Sequence, residues 1–216
     1  RSRIVYEGYD EGNYIVLPRG CFEELKRHLS DAEIPYGIVD KRQAGRQIDV
    51  SFNGELYPEQ TVAAERLLSF DMGMLAAATA FGKTVIGANL IARRKVNTLV
   101  LVHTVEIMNN WVCDLNKFLT INEELPTYTT PKGRIKQYGS VIGTFSSQKK
   151  AVTGIIDIAM IGSLGKEDDI NPMVRDNGMI IVDECHHAAA ATFENVLRAS
   201  AAKYVYGMSA TVKRGD

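Results

Sequence analysis

From Leu56 onward the chain repeatedly sets a short apolar, strand-length run against a segment with helical spacing, and this alternation constrains its fold more than any other feature. Strands joined by helices form a mostly parallel sheet, and strands covered on both faces read as nearly continuous apolar runs. The runs predict strands at Met74–Ala78, Thr98–His103, Val141–Phe145, Asp157–Ile161, Met179–Val182 and Tyr204–Met208. Between the first two, the spacing predicts a helix over Gly82–Arg94. After the second it predicts one over Val105–Leu119, where Met108, Trp111, Val112, Leu115, Phe118 and Leu119 form a core-facing stripe. Thr120–Gln137, with two prolines and a glycine, reads as a variable loop.

Ahead of this region, short strands at Ile4–Tyr6, Tyr14–Leu17, Tyr36–Val39 and Ile48–Phe52 surround a helix over Gly20–Leu29. Residues 1–53 therefore read as a small α+β appendage, with Asn53–Gly54 as the turn that separates it from a larger domain over 54–216. Its tyrosines Tyr6, Tyr9 and Tyr14 read as packing residues.

Composition removes several classes. No apolar run approaches the roughly 20 residues a membrane-spanning helix needs. A formal net charge of −1 excludes a generally basic nucleic-acid coat, so any such contact is local. Arg93-Arg94-Lys95, Lys149-Lys150 and Lys213-Arg214 could serve, though each reads first as solvated surface. Three cysteines, Cys21, Cys113 and Cys185, are odd in number and have no close pair, which fits a reducing cytoplasm better than a disulfide framework. The first residue is Arg1, with no signal-peptide pattern, so the chain is expected to begin inside a longer protein or after a removed tag.

Between the Met74–Ala78 run and the following helix lies Ala77-Ala78-Thr79-Ala80-Phe81-Gly82-Lys83-Thr84. A tight strand-to-helix loop turns its backbone N–H groups inward around a phosphate. A lysine at its end neutralises the outer charge, and a hydroxyl beside it can ligate Mg²⁺. The strict pattern is broken, because Ala77 stands where the first glycine of the phosphate-loop signature belongs.

About 100 residues later, Met179–Val182 ends in Asp183-Glu184-Cys185-His186-His187. Carboxylates at the C-terminal end of a strand lie in the crevice where open α/β sheets bind ligands. Asp183 is the expected Mg²⁺ residue and Glu184 the expected base for the attacking water, although both could simply cap the next helix. A zinc site is disfavoured, because Cys185, His186 and His187 are consecutive and cannot easily converge on one tetrahedral ion. Ser209-Ala210-Thr211, after the last strand, could relay a change at the nucleotide or merely close a turn.

Taken in order, Gly82-Lys83-Thr84, Asp183-Glu184-Cys185-His186 and Ser209-Ala210-Thr211 resemble motifs I, II and III of superfamily 2 helicases of the DExH kind. The likeness runs from Leu56 to the end and extends to bacterial XPB-like helicases and type III restriction translocating subunits. It implies a P-loop NTPase (RecA-like) domain, an α/β fold with a mostly parallel sheet and helices on both faces. It implies ATP and Mg²⁺ as cofactors, with Thr79, Ala80, Phe81, Gly82, Lys83 and Thr84 around the phosphates, Gln60 on adenine and Tyr57 stacked nearby. Lys83, Asp183 and Glu184 would be catalytic, with Thr84 and Asp183 on the metal, and His186, Ser209 and Thr211 would couple hydrolysis to movement. Nucleic acid would be touched by His103 and Thr104, although the family commonly has arginine at the latter position, and by Gly162 and Ser163.

The family usually has glycine where this chain has Ala80. If φ is positive there, alanine costs on the order of 1 kcal/mol and ATP binding is expected to be weakened. No Gln-x-x-Gly-Arg-x-x-Arg segment follows Thr211. A second RecA-like domain is thus the expected partner, and its arginines contribute about 10³ to 10⁵ in rate in related reactions. Slow ATP turnover by residues 1–216 alone follows. DNA is placed ahead of RNA as the expected track. The alternatives are an RNA helicase, a catalytically weak nucleic-acid-binding P-loop module, or a GTPase or metabolic kinase. The last is disfavoured because no Asn-Lys-x-Asp segment is present.

Overall fold

The computed structural model describes residues 8–17, 19–165, 169–185 and 190–210. The expected strand at Ile4–Tyr6, together with His186, His187, Thr211, Lys213 and Arg214, lies outside the described residues. The chain divides into two compact units, Arg1–Asp40 and Lys41–Asp216.

In the smaller unit, Tyr9–Glu11 (β1) and Tyr14–Val16 (β2) pair antiparallel around Gly12, whose φ of +62° suits the tight turn. Phe22–Asp31 (α1) follows, with Lys26 and Glu23 paired at 2.9 Å on its surface. The expected strand at Tyr36–Val39 does not form. Tyr36, Ile38 and Val39 are exposed, and the segment has no strand partner among the described residues.

Val50–Phe52 (β3), expected as the last strand of the appendage, belongs instead to the larger unit. The larger compact unit therefore begins at Lys41, ahead of the Asn53–Gly54 turn. Backbone bonds from Gln43 N to Ala201 O (2.6 Å), Asn97 N to Arg46 O (2.8 Å) and Ile48 N to Lys95 O (3.0 Å) tie this segment to the larger unit. The buried Asn97 side chain adds to them: its Oδ1 accepts from Arg46 N (2.8 Å) and Gly178 N (3.1 Å) while its Nδ2 donates to Asp176 O (2.7 Å). Together these bonds fasten the segment before β3 to the base of the main sheet.

The rest of the larger unit alternates as the apolar runs require. Pro58–Leu68 (α2), Met72–Ala76 (β4), Lys83–Arg94 (α3), Thr98–Val102 (β5) and Val105–Phe118 (α4) come first. Leu119–Ile121 (β6), Thr127–Thr129 (β7), Ile135–Gln137 (β8), Ile142–Phe145 (β9), Lys150–Ala151 (β10) and Ile156–Met160 (β11) follow. Met179–Asp183 (β12), Ala190–Ala199 (α5) and Tyr204–Ser209 (β13) complete it. Among the described residues a seven-stranded sheet has the order β10-β9-β11-β5-β12-β13-β4, parallel throughout except for the short edge strand β10.

All five residues of β5 and of β12 are buried, and alternate ones face opposite ways. Val100, Val102, Met179 and Ile181 pack with Ile86, Leu90, Trp111 and Leu115 of α3 and α4. Leu99, Leu101, Ile180 and Val182 pack with Leu164, Val174 and Val196, the last from α5. Helices thus cover both faces, as expected. No helix of the described residues is long and apolar enough to cross a membrane.

Thr120–Gln137 corrects the sequence reading. It is not a loop: β6 pairs antiparallel with β3, and β7 and β8 form a hairpin. Pro126 and Pro131 bracket β7, and Gly133, at φ +74°, closes the turn with its N–H on Thr130 O (2.8 Å). Punctuation by proline and glycine marked a turn inside a hairpin rather than the absence of strands.

Asp157, near the start of β11, is a buried carboxylate on the side of the sheet away from the β3–β6 pair. Its Oδ1 accepts from Thr153 N (2.8 Å) and Thr153 Oγ1 (3.1 Å), and its Oδ2 from Gly154 N (2.8 Å). Burial pushes its carboxyl above the ordinary range despite these donors. Protonation is then easier in the folded chain than in the unfolded one. The group's stabilising contribution is fully present below its unfolded pKa and is lost as pH rises through the folded value. Asp157→Asn removes the titration and one acceptor oxygen, and is expected to cost about 1–3 kcal/mol. Thermal midpoints measured across acid to neutral pH should show the wild-type lead over this variant widest in acid and narrowing as pH rises.

Candidate active site

Four neighbouring parallel strands, β5, β12, β13 and β4, end on one edge of the sheet, and their C-terminal ends carry most of the residues singled out from the sequence. β4 stops at Ala76, two residues earlier than its apolar run suggested, which leaves Ala77–Gly82 free to form the loop into α3. Ala77 N donates to Ser209 O (3.0 Å), so the loop hangs from the last residue of β13. Phe81 N donates to Ala78 O (3.2 Å) and closes a turn. Two residues take left-handed backbone, Ala80 at φ +69° and Gly82 at φ +85°. Glycine adopts this conformation freely, whereas an alanine in it costs about 1–2 kcal/mol. The condition set for Ala80, a positive φ, is therefore met.

Gly82 is required for a second reason. A Cβ there would lie 2.4 Å from Gln60 Nε2. The Gln60 amide is buried and donates to Phe81 O (2.8 Å), while its Oε1 accepts from Tyr57 N (2.9 Å) at the start of α2. Gln60 thus ties α2 to the loop, and Tyr57 stands 72% exposed beside it. Thr79 and Ala80 are exposed, and Phe81 and Thr84 are half-buried.

Lys83 opens α3 and turns its ammonium back into the loop. Its Nζ donates to Ala77 O at 3.3 Å and pairs with Glu184 Oε1 at 3.4 Å, with only 11% of its side chain exposed. The structure therefore brings the two ends of the proposed constellation, Lys83 and Glu184, into direct contact across a sequence separation of about 100 residues.

Asp183 ends β12 and is buried. Oδ1 accepts from Glu184 N (2.9 Å) and Oδ2 from Trp111 Nε1 (2.7 Å). Burial pushes its carboxyl above the ordinary range, and the Trp111 N–H is the strongest influence holding it down. Glu184 has a left-handed backbone, φ +47°, which places a second strained non-glycine residue at the site. Its carbonyl lies 3.0 Å from His103 Nε2. Cys185 N donates to Met208 O (3.1 Å), and burial pushes its thiol up, away from a reactive thiolate.

His103 and Thr104, expected on nucleic acid, have visible partners within the chain. His103 faces the Glu184 carbonyl, and Thr104 is the N-cap of α4, its Oγ1 accepting from Ile107 N (3.2 Å). Gly162 and Ser163 lie in a short 3₁₀ turn directly after β11, on the same sheet edge. Ser209 is fully buried at the end of β13. His186 and Thr211 are outside the described residues.

Sequence reasoning assigned Trp111 to the core and missed its hydrogen bond. The signal available was its indole N–H, which needs a partner when buried, on the helix that follows β5.

Residues 53–214 match the family described as type III restriction enzyme, res subunit. The chain belongs to this family. Proteins similar to it include the XPB subunit of the TFIIH helicase/translocase of Trypanosoma brucei, 25% identical over all of this chain and 23% of that one. The DNA 3'-5' helicase XPB of Kineococcus radiotolerans is 25% identical over 92% of this chain and 33% of its own. A protein named as an ATP-dependent RNA helicase, L396 of Acanthamoeba polyphaga mimivirus, is 26% identical over 96% of this chain and 36% of its own. The chain thus spans about a third or less of these relatives. Among solved structures, the UvsW helicase of bacteriophage T4 superposes with a TM-score of 0.63 at 15% identity, over 95% of this chain and 75% of that one, which shows the fold alone. Family and fold together identify a RecA-like domain of the superfamily 2 helicase type.

The loop geometry carries a test with two signs. Ala80→Gly removes a strained Cβ but loosens the unfolded chain by about 0.4–1 kcal/mol, so a net gain of about 0.5 kcal/mol is expected. Gly82→Ala strains the backbone and strikes Gln60, at a cost of about 1–3 kcal/mol. Thermal unfolding should show the midpoint rising for the first and falling for the second; movement in the same direction would count against this loop conformation.

Proposed function

We propose that this chain is the nucleotide-binding motor domain of a nucleic-acid-dependent ATPase, a DNA helicase or translocase, that works with a second RecA-like domain. The observation that carries this is the Lys83–Glu184 contact at 3.4 Å, which joins a phosphate-loop lysine to the acid after β12. The family match and the XPB-type relatives support the same reading.

In this reading the backbone N–H groups of Thr79–Thr84 and the start of α3 face the ATP phosphates. The Lys83 ammonium exchanges its two long contacts for phosphate oxygens. Thr84 and Asp183 would hold Mg²⁺. Their donor set fits, because both Asp183 oxygens are fixed by N–H donors yet keep further lone pairs, and Thr84 adds a hydroxyl. The cation would arrive with the nucleotide and bring most of its own oxygens. Bound Mg²⁺ supplies charge neutralisation at the phosphates. Glu184 orients a water molecule and takes its proton as the water oxygen bonds to the γ-phosphorus and the bond to the bridging oxygen of ADP breaks.

Gln60 and Tyr57 would face adenine. Gln60 retains one N–H and one lone pair after its bonds within the chain, and Tyr57 is exposed for stacking. Ser209 carries change from the loop through its carbonyl on Ala77 N, with Thr211 and His186 as further coupling residues. His103, Thr104, Gly162 and Ser163 share the edge of β5 and β11 that would meet the nucleic-acid backbone. Arginines of the second domain would add about 10³ to 10⁵ in rate, so residues 1–216 alone should turn over slowly. The free cysteines suit a cytoplasmic setting.

The deciding experiment is ATP hydrolysis by the complete protein with and without double-stranded DNA or RNA. Stimulation by DNA is expected, and Glu184→Gln should lower the rate by about 10²- to 10⁴-fold while leaving nucleotide binding intact. Stimulation by RNA alone would reassign the track. Full activity in Glu184→Gln would remove Glu184 as the base.

A further inference from the structure

Two side chains from one short stretch, the end of β5 and the first turns of α4, reach the two members of the acid pair. Trp111 donates its indole N–H to Asp183 Oδ2 at 2.7 Å, and His103 Nε2 stands 3.0 Å from Glu184 O. A carbonyl only accepts, so Nε2 carries the proton at this contact.

Each contact fixes something the acid pair cannot fix for itself. Asp183 Oδ1 is held by its neighbour's N–H, which leaves rotation of the second oxygen to be settled, and Trp111 settles it. Glu184 sits in left-handed backbone, a conformation an ordinary residue keeps only where its surroundings impose it. The His103 contact on its carbonyl and the Cys185 N to Met208 O bond on the next residue impose it from both sides.

Trp111 also touches the helix that begins with Lys83. A Cβ on Gly87 of α3 would lie 2.5 Å from the indole edge, so the ring packs directly on the α3 backbone. The indole therefore spans the gap between the phosphate-loop helix and the metal carboxylate and sets their spacing.

We propose that Trp111 and His103 are positioning residues that clamp Asp183 and Glu184, and that the β5–α4 connection reaches the Mg²⁺ site through them. This rests on the assignment of Asp183 to Mg²⁺ and of β5–α4 to the nucleic-acid edge. Nucleic acid that shifts this connection changes the orientation of the acid pair, with no direct contact between track and nucleotide.

Trp111 is the sole tryptophan of the chain, so its emission reports on Asp183 without labelling. Titrating the wild-type chain with MgADP should change that emission saturably, and Asp183→Asn should abolish the Mg²⁺-dependent part. No change in wild-type emission on demonstrated MgADP binding would overturn the clamp. Trp111→Phe keeps a ring but loses the donor. The Mg²⁺ needed for half-saturation with a fluorescent ADP should rise about tenfold, with metal-free ADP affinity unchanged. Normal Mg²⁺ dependence in Trp111→Phe, beside its loss in Asp183→Asn, would overturn the clamp and leave the site standing. Normal dependence in Asp183→Asn would overturn the metal assignment and the clamp with it. In the complete protein, His103→Leu should lower kcat with KM little changed, and His103→Gln, which keeps a donor, should recover most of it. Equal loss in both would overturn the role of His103.

Discussion

The double-sided burial of β5 and β12 governs everything else in the larger unit. Strands covered on both faces cannot carry ionised groups along their length, so polar chemistry is displaced to their ends. Parallel connectivity then sends the C-terminal ends of β4, β5, β12 and β13 to one edge. Lys83, His103, Asp183 and Ser209 are neighbours because their strands are neighbours, although the sequence spreads them over more than 100 residues. The cost falls on Asp183, which sits at the limit of the buried region and whose carboxyl is pushed up by desolvation. Two N–H donors keep an anion tolerable there.

Two of the four left-handed non-glycine residues among the described residues lie at the same edge, the others being Glu33 and Lys95. Ala80 and Glu184 both hold left-handed backbone, one in the phosphate loop and one beside the buried acid. Neither has the freedom of glycine, and each is held by neighbours: Ala80 between the Phe81–Ala78 turn and Gly82, Glu184 by His103 and the continuation of the β12–β13 pairing. Backbone conformations imposed by surroundings are sensitive to those surroundings. A site of this kind responds to small movements of β5 or β13 more than an unstrained one would.

The parts legible in the sequence were those with a local signature. Apolar runs marked the strands of the main sheet, and Gly82-Lys83-Thr84 and Asp183-Glu184 marked the ends that matter. What escaped was set by distant partners. Tyr36–Val39 has the composition of a strand, but a strand exists only by pairing. β3 and β6 are short and pair with each other across some 70 residues, which no window along the chain can reveal. The unit boundary turned on contacts between residues far apart in the chain, those of Gln43 and Arg46 with Ala201 and Asn97 among them, and Trp111 looked like one more apolar residue in a helical stripe because its packing role is real and its hydrogen bond leaves no periodicity. Ala80 lies between the two: a departure in motif marked the position, and the structure supplies the positive φ that makes the alanine costly.

The neighbours of β12 explain why the acid pair is well placed to couple events. On one side β5 leads into His103 and Trp111; on the other β13 ends in Ser209, whose carbonyl carries the N–H of Ala77 at the start of the phosphate loop. In register, Asp183 lies opposite Met208, one residue before Ser209. On the proposed reading, a displacement of the loop would reach β13 through the Ala77 N to Ser209 O bond beside the β4–β13 ladder, and the residue after the acid pair through Cys185 N to Met208 O. A displacement of the β5–α4 connection would arrive from the opposite side through His103 and Trp111. Both routes end on residues 183–185, and neither requires the sheet itself to deform. The middle of the sheet is buried and paired in register, so the proposed coupling needs movement at the strand ends alone.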